Sequence, residues 1–200
     1  TSYLLNELKD IEVNDFVNDS MIQIKYMSRT LNDFRNFLKP STKKKLFSIT
    51  KSLHEINEII GKQVFYSNIK MNFNYESKNE ELLIYGYENE FKQVLLNLIN
   101  NAKNKIIEKQ LDTNEKGSIN INIKRCVNYN TIEIIDDAGR IDEEIIHSIF
   151  QPYFTTKSNG TGLGLYMAKV IIEDKMRGTI SVRNEEQNVV FTIKLPHKKV

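Results

Sequence analysis

Gly160-Thr161-Gly162-Leu163-Gly164-Leu165 is the stretch on which the reading of this chain turns. Glycine is scarce, eight in 200 residues, so three at alternate positions directly before the apolar-periodic segment Tyr166 to Met176 are informative. They free the backbone to approach a ligand and leave the N–H groups of a helix start facing it, an arrangement whose natural occupant is phosphate. The spacing is neither that of a P-loop nor that of a dinucleotide turn, because no Gly-Lys-Ser/Thr follows and Lys169 lies too far along the helix. On its own, such a turn is equally well a structural connector.

Two other groups give it a context. Asn97 and Asn101 stand one helical turn apart within the apolar run Val94, Leu95, Leu96, Leu98 and Ile99, so both amides project from one face of a helix predicted from about Glu88 to Glu108. Asp136 ends the apolar strand Ile132 to Ile135 and opens the turn Asp136-Asp137-Ala138-Gly139-Arg140-Ile141, from which a buried carboxylate can accept a hydrogen bond from a ligand amine. Taken singly, the asparagines also read as satisfied core amides and the aspartate as a turn former.

Outward from these groups the chain alternates elements. The pattern predicts a helix capped by Ser48 or Thr50 and running to about Gly61, then strands at about Ile69–Tyr75 and Leu82–Tyr85. After the long helix come strands around Ile119–Ile123 and Thr131–Ile134, a helix near Asp142–Ile149, and a helix near Leu163–Met176. Strands around Thr179–Val182 and Val189–Leu195 finish the chain. Strands mixed with helices on one face predict an α/β (α+β) two-layer sandwich of a mixed sheet and helices. Upstream, Val13, Val17, Ile24, Met27, Leu31, Phe34 and Leu38 recur in steps of three and four, apart from Ser20. That is the seam of a long coiled-coil-like helix, disfavoured past Lys39 by Pro40. The expected division is a helical part over 1–40, a linker over 41–47 containing Lys43-Lys44-Lys45, and the sandwich over 48–200.

Composition excludes several classes. Lys and Arg number 28 against 26 Asp and Glu, so no global charge draws the chain to nucleic acid or to an anionic membrane. No apolar run reaches the roughly 20 residues of a membrane helix, so no membrane contact is expected. Cys126 is the single cysteine, which fits a reducing, cytoplasmic compartment. The opening Thr1-Ser2-Tyr3, lacking an initiator Met, suggests a fragment of a longer protein, with any sensor or anchor expected outside it.

The residues now carry a resemblance. Asn97-Leu-Ile-Asn-Asn101-Ala102, Asp136-Asp-Ala-Gly139, Phe150-Gln-Pro-Tyr-Phe154-Thr-Thr-Lys157 and Gly160-Thr-Gly-Leu-Gly-Leu165 resemble, in order and spacing, the N, G1, F and G2 boxes of sensor histidine kinases. These belong to the ATPase superfamily that includes gyrase B, Hsp90 and MutL. Residues 26–37 look like the second helix of the family's dimerization and phosphotransfer hairpin. The resemblance implies the family's ATP-binding (Bergerat-type) fold and the substrate MgATP. It gives Asn101 as the Mg²⁺ ligand through its amide oxygen, with Asn97 beside the γ-phosphoryl group as the other catalytic residue. Asp136 reads the adenine amine, Gly139 shapes its turn, and Ile141 and Phe154 form apolar walls. Thr156, Lys157, Gly160, Thr161, Gly162, Leu163, Gly164 and Leu165 form the lid and phosphate cradle. Lys105 is a candidate phosphate contact, since Asn104 stands where many such kinases carry a basic residue. Implied partners are a second copy, through residues 13–38, and the receiver domain of a response regulator.

The chain also departs from the family. Ala138 and Arg140 replace glycines of the usual G1 pattern, and Arg140 is expected either to crowd the turn or to reach a phosphate. A phosphoacceptor histidine is expected before the seam helix, whereas His54, His147 and His197 all follow it, so the acceptor lies outside this chain. A non-catalytic nucleotide-binding or dimerization module remains the alternative. A gyrase- or Hsp90-type ATPase fits less well, because those carry Glu where Asn97 stands, to activate water.

Overall fold

The computed structural model describes residues 40–76, 82–113, 115–157 and 160–197, together with the isolated helical positions 17, 21 and 24. Contacts divide the chain into Thr1–Lys39 and Pro40–Val200. Most of the seam helix therefore lies outside the described residues. Val17 and Ile24, two positions of its stripe, are helical and exposed.

In the second unit, β1 (Lys45–Ser48) leads into α1 (Ile49–Tyr66), β2 (Ile69–Tyr75), β3 (Leu83–Gly86) and α2 (Glu88–Thr113). β4 (Gly117–Arg125), β5 (Tyr129–Asp136), α3 (Gly164–Lys169) with its π-helical continuation Val170–Lys175, β6 (Thr179–Glu185) and β7 (Asn188–Pro196) follow. Five strands form one mixed sheet in the order β2-β4-β5-β7-β6, with β2 and β4 parallel and the remaining pairs antiparallel. β1 and β3 form a separate antiparallel pair.

Strand alternation generates the two layers. Ile119, Ile121 and Ile123 on β4, Ile132 and Ile134 on β5, and Phe191, Ile193 and Leu195 on β7 are buried on the helix side. Against them lie Leu53, Ile56 and Ile60 of α1 and Phe91, Leu95, Leu98, Ile99 and Ile106 of α2, all buried. The opposite face is polar. There Asn72 donates through Nδ2 to Asn120 Oδ1, and Asn74 likewise to Asn122 Oδ1, each at 2.9 Å. Among the described residues no helix is long and apolar enough to cross a membrane.

Several sequence expectations are corrected. The linker read over 41–47 contains the start of β1, because Phe47 is buried with its ring centroid 5.5 Å from that of Phe91. Ser48 does cap α1, accepting from Lys51 N at 3.3 Å. Gly61 does not end that helix; it continues to Tyr66 and closes before Asn68, whose φ is +55°. The polar stretch after Lys103 extends α2 to Thr113. The helix expected near 142–149 is instead a run of turns over 143–150, linked by bonds such as Ile145 N to Asp142 O at 3.1 Å and Ser148 N to Ile145 O at 2.8 Å. Buried side chains three apart, Ile146 and Ile149, suit that tighter winding. The helix expected through Met176 widens at Val170, where Met176 N bonds Ile171 O at 3.0 Å and Ile171, Ile172 and Met176 are all buried.

Charge also holds the start of α2. Glu88 pairs with Lys45 of β1 and with Lys92 at 3.1 Å, and Lys92 pairs in turn with Glu55 of α1. Burial alone pushes the Glu88 carboxyl up, but hydrogen bonds from Lys45 and Lys92 outweigh it and hold it below the usual range. That contribution is present at neutral pH and is lost as pH falls through the lowered value. Lys92→Ala, which leaves two carboxylates beside the core, is expected to lower unfolding free energy by about 2–3 kcal/mol in urea denaturation at neutral pH. A loss below about 0.5 kcal/mol contradicts this assignment.

Candidate functional site

α2 is apolar on the side it turns to the sheet, and this fixes the direction of its two asparagines. Asn97 and Asn101 are both half-buried. Among the described residues, Asn97 Nδ2 is the one buried side-chain nitrogen or oxygen atom without a hydrogen-bond partner. A group of that kind is costly unless something else comes to bond it. Beside it lies the start of α3: a Cβ on Gly164 would stand 2.5 Å from Asn97 Oδ1. Glycine is therefore required there by approach, and the first turn of α3 rests on the asparagine amide.

The glycine segment is fitted to the preceding box in the same way. Gly162 has φ +66°, and a Cβ on it would lie 2.3 Å from the Tyr153 carbonyl carbon and 2.7 Å from Phe154 N. Tyr153 itself has φ +64°, so two left-handed residues meet where these segments cross. Phe154 and Lys157 are half-buried and Thr156 is exposed. Thr155 Oγ1 accepts from Lys157 N at 3.1 Å, and Gly160 N donates to Lys157 O at 3.1 Å. Leu163 N donates to Thr161 Oγ1 at 3.4 Å, while Leu165 is half-buried.

Asp136 ends β5 opposite Ile119 and Val189. It is 4% exposed, and its Oδ1 accepts from Ala138 N at 3.2 Å. Burial pushes its carboxyl up to about 6, against a smaller downward effect of the Ala138 bond and an upward one from the Asp137 charge. The turn is clamped from two sides. Lys109 Nζ of α2 donates to Asp137 O at 2.8 Å, and Ser118 of β4 donates to the Asp137 carboxylate from N at 3.0 Å and from Oγ at 2.7 Å. Gly139 supplies the required positive φ, +107°, with open space where a Cβ would stand.

Direct contacts thus join the four motifs through α2. Gly164 touches Asn97, Gly162 touches Tyr153 and Phe154, and Lys109 holds Asp137. Ile141 is half-buried at the end of the turn. Arg140 neither crowds the turn nor points free to an anion: Nη1 donates to Glu186 O at 3.1 Å and Nη2 to Glu143 at 2.7 Å. Lys105 is exposed and pairs with Glu108 at 2.6 Å along its own helix. Sequence reasoning missed Lys109, Ser118 and Asn184, the last bonded to both main-chain groups of Ile141. No periodicity marked them, since each acts on a turn residue supplied by a distant element, Lys109 and Asn184 on its backbone and Ser118 on the Asp137 carboxylate. Of the histidines, His54 lies 3.4 Å from Glu58 on α1, His147 is exposed, and His197 Nε2 lies 3.1 Å from Asn130 Oδ1.

This fold with these four segments is that of an ATPase catalytic domain, and comparison with known proteins agrees. Residues 86–199 match the family of histidine kinase-, DNA gyrase B- and HSP90-like ATPases, and the chain belongs to it. Its relatives are sensor histidine kinases. It is 32% identical over 155 residues to sporulation kinase B of Bacillus subtilis (strain 168), covering 76% of this chain and 34% of that protein. The chain thus spans about a third of that relative's length. The nucleotide-free catalytic domain of histidine kinase ThkA is similar with TM-score 0.67 and 33% identity, over 78% of this chain and 96% of that one. ThkA in complex with the response regulator protein TrrA is similar with TM-score 0.63 and 25% identity, over 92% of this chain and 51% of that one.

The raised pKa of Asp136 is also a stability statement. Its ionised form is penalised on folding by an amount on the order of 3 kcal/mol. The penalty is fully present above the folded value of about 6 and is relieved as pH falls toward the unfolded range. Asp136→Asn removes the charge while keeping an acceptor for Ala138 N. It is expected to stabilise the nucleotide-free protein by about 1–2 kcal/mol at pH ~7.5, with the gap narrowing by pH ~4.5 in parallel urea titrations. A variant less stable than the wild type at the higher pH contradicts this.

Proposed function

We propose that this chain is the ATP-binding catalytic part of a sensor histidine kinase, acting in the cytoplasm. In this reading the γ-phosphoryl group of MgATP passes to a histidine outside these 200 residues, and from there to an aspartate in the receiver domain of a response regulator. The observation that carries the reading is the orphan amide of Asn97 beneath Gly164, a polar group set at the mouth of a glycine-opened helix start.

Roles follow from the chemistry of each group. Asp136, ionised at neutral pH, accepts from the adenine amine, and Ile141 and Phe154 flank the base. Lys157, Thr156, Thr161 and the main chain from Gly160 to Leu165 meet the triphosphate with positive charge and N–H donors. Asn97 donates to the phosphates through Nδ2, and Asn101 presents an amide oxygen, a hard donor suited to Mg²⁺. Among the described residues, no cluster of three or more His, Cys, Asp and Glu side chains can hold a metal. This fits an ion that arrives with the phosphates and takes a single protein oxygen. With Asn101 as its protein ligand, Mg²⁺ would supply charge neutralisation at the phosphates. An amide at position 97 cannot serve as a general base for water, which favours transfer to an imidazole over hydrolysis. The exposed Val17 and Ile24 support a homodimer through residues 13–38, because a seam of this kind leaves water by packing on a second helix.

Calorimetry with a non-hydrolysable ATP analogue tests the reading. Binding is expected to weaken when EDTA removes Mg²⁺, and Asn101→Asp is expected to raise Kd at least tenfold in Mg²⁺. Affinity is also expected to fall as pH drops from about 8 to 5, since ionised Asp136 accepts from the amine more strongly than its protonated form, and to fall more in the wild type than in Asp136→Asn. No heat at millimolar nucleotide overturns the proposal.

A further inference from the structure

The G1 segment here must solve a problem that its glycine-poor sequence creates. Ala138-Gly139-Arg140 leaves one residue at positive φ, Gly139, and the chain then runs through Ile141 without regular secondary structure. Main-chain groups outside helix or sheet need partners when they are not fully solvated. At Ile141, which is half-buried, both partners are supplied by one side chain. Asn184 Oδ1 accepts from Ile141 N at 2.9 Å, and Asn184 Nδ2 donates to Ile141 O at 2.8 Å. The side-chain amide thus pairs with Ile141 as a peptide group would, adding a one-residue rung where no strand exists.

A second set of contacts closes around this rung. Asn184 Nδ2 also donates to Glu143 Oε1 at 3.0 Å, and the same oxygen accepts from Arg140 Nη2 at 2.7 Å. Bonding to Asn184, then to Arg140, holds the Glu143 carboxyl below its usual range despite opposing burial. Arg140 Nη1 reaches Glu186 O at 3.1 Å. Glu186 lies in the two-residue connection between β6 and β7 and has φ +53°, a costly conformation for a residue with a side chain. Arg140 and Glu143 are roughly half or more exposed, so their ion pair contributes little alone. The half-buried Asn184 is the centre of the arrangement.

We propose that Asn184 is a positioning residue for the nucleotide base: it fixes Ile141, one wall of the adenine site, to the β6–β7 hairpin, with Arg140 and Glu143 steadying it. Arg140 thereby does by fastening what a second glycine does by fitting. The inference rests on the reading of Asp136 and Ile141 as the adenine end of the site. It goes beyond that reading in assigning base affinity to a residue on β6, outside the four motifs.

The test uses the 200-residue chain and three measurements: ATP Kd at 25 °C, Tm without nucleotide, and hydrogen exchange of the Ile141 amide. Asn184→Ala is expected to speed exchange at Ile141 at least tenfold and to raise the ATP Kd about tenfold, with the protein still folded at 25 °C. A purely structural role lowers Tm and leaves Kd at 25 °C within twofold of wild type, and that result overturns the proposal. Should Asn184→Ala fail to fold, Asn184→Asp decides. It keeps size and the acceptor for Ile141 N but loses the donor to Ile141 O and Glu143, so it is expected to raise Kd at least threefold, and an unchanged Kd overturns the proposal. Wild-type protein that binds no ATP fails the functional reading itself. Wild-type binding that Asn184 variants leave intact fails only this inference.

Discussion

The structure depends on one constraint at the middle of α2: a buried amide nitrogen, Asn97 Nδ2, which finds no hydrogen-bond partner among the described residues. Leaving such a group unsatisfied costs free energy, and the surroundings compensate with burial. Val94, Leu95, Leu98 and Ile99, one to three residues away, anchor the same helix against the sheet. The amide therefore cannot rotate into the core for a substitute partner without moving α2. Gly164, which carries no Cβ to fill the space over Asn97, completes the constraint from the other side.

From that point the other contacts radiate. The helix that presents Asn97 and Asn101 ends with Lys109 holding the main chain after Asp136, so the two ends of the site share a rigid element some turns long. Its beginning is held by the Lys45, Glu88, Lys92 and Glu55 charges. The edge farthest from α2 is held from β6, by Asn184 on Ile141. In the proposed reading the base end is fastened by side chains and the phosphate end is shaped by glycines, a division that suits a rigid moiety at one end and a charged, flexible chain at the other.

Much of this was legible in sequence. Periodicity of two gave the strands, because one face of the sheet is buried and a slip of one residue would expose every isoleucine of β4. The paired asparagines stood out because a polar pair within Val94–Ile99 has no packing reason to exist. Gly162 and Gly164 were readable as places of close approach, and the structure supplies what approaches: the main chain at Tyr153 and the amide of Asn97. Other features carried no local signal. β1 was hidden in a lysine-rich joint because its anchor is one side chain, Phe47, and its partner strand lies beyond an intervening helix. Lys109, Ser118 and Asn184 each bond a residue of the turn from another element, and spacing along one segment does not encode such pairs. Arg140 was read as a steric or phosphate-binding residue because its acceptor, the Glu186 carbonyl, belongs to a distant turn.

The most direct measurement follows the side-chain amide signals of α2 by ¹⁵N–¹H NMR as MgATP is added. Asn97 and Asn101 face the proposed nucleotide, while Gln110, on the opposite side of the same helix, donates through Nε2 to Asn68 O at 3.4 Å. The account predicts that the Asn97 and Asn101 signals shift in a saturable way, with Asn97 Nδ2 hydrogens gaining protection, while the Gln110 side-chain signal stays in place. Saturable binding that leaves the Asn97 and Asn101 amides unmoved would contradict it.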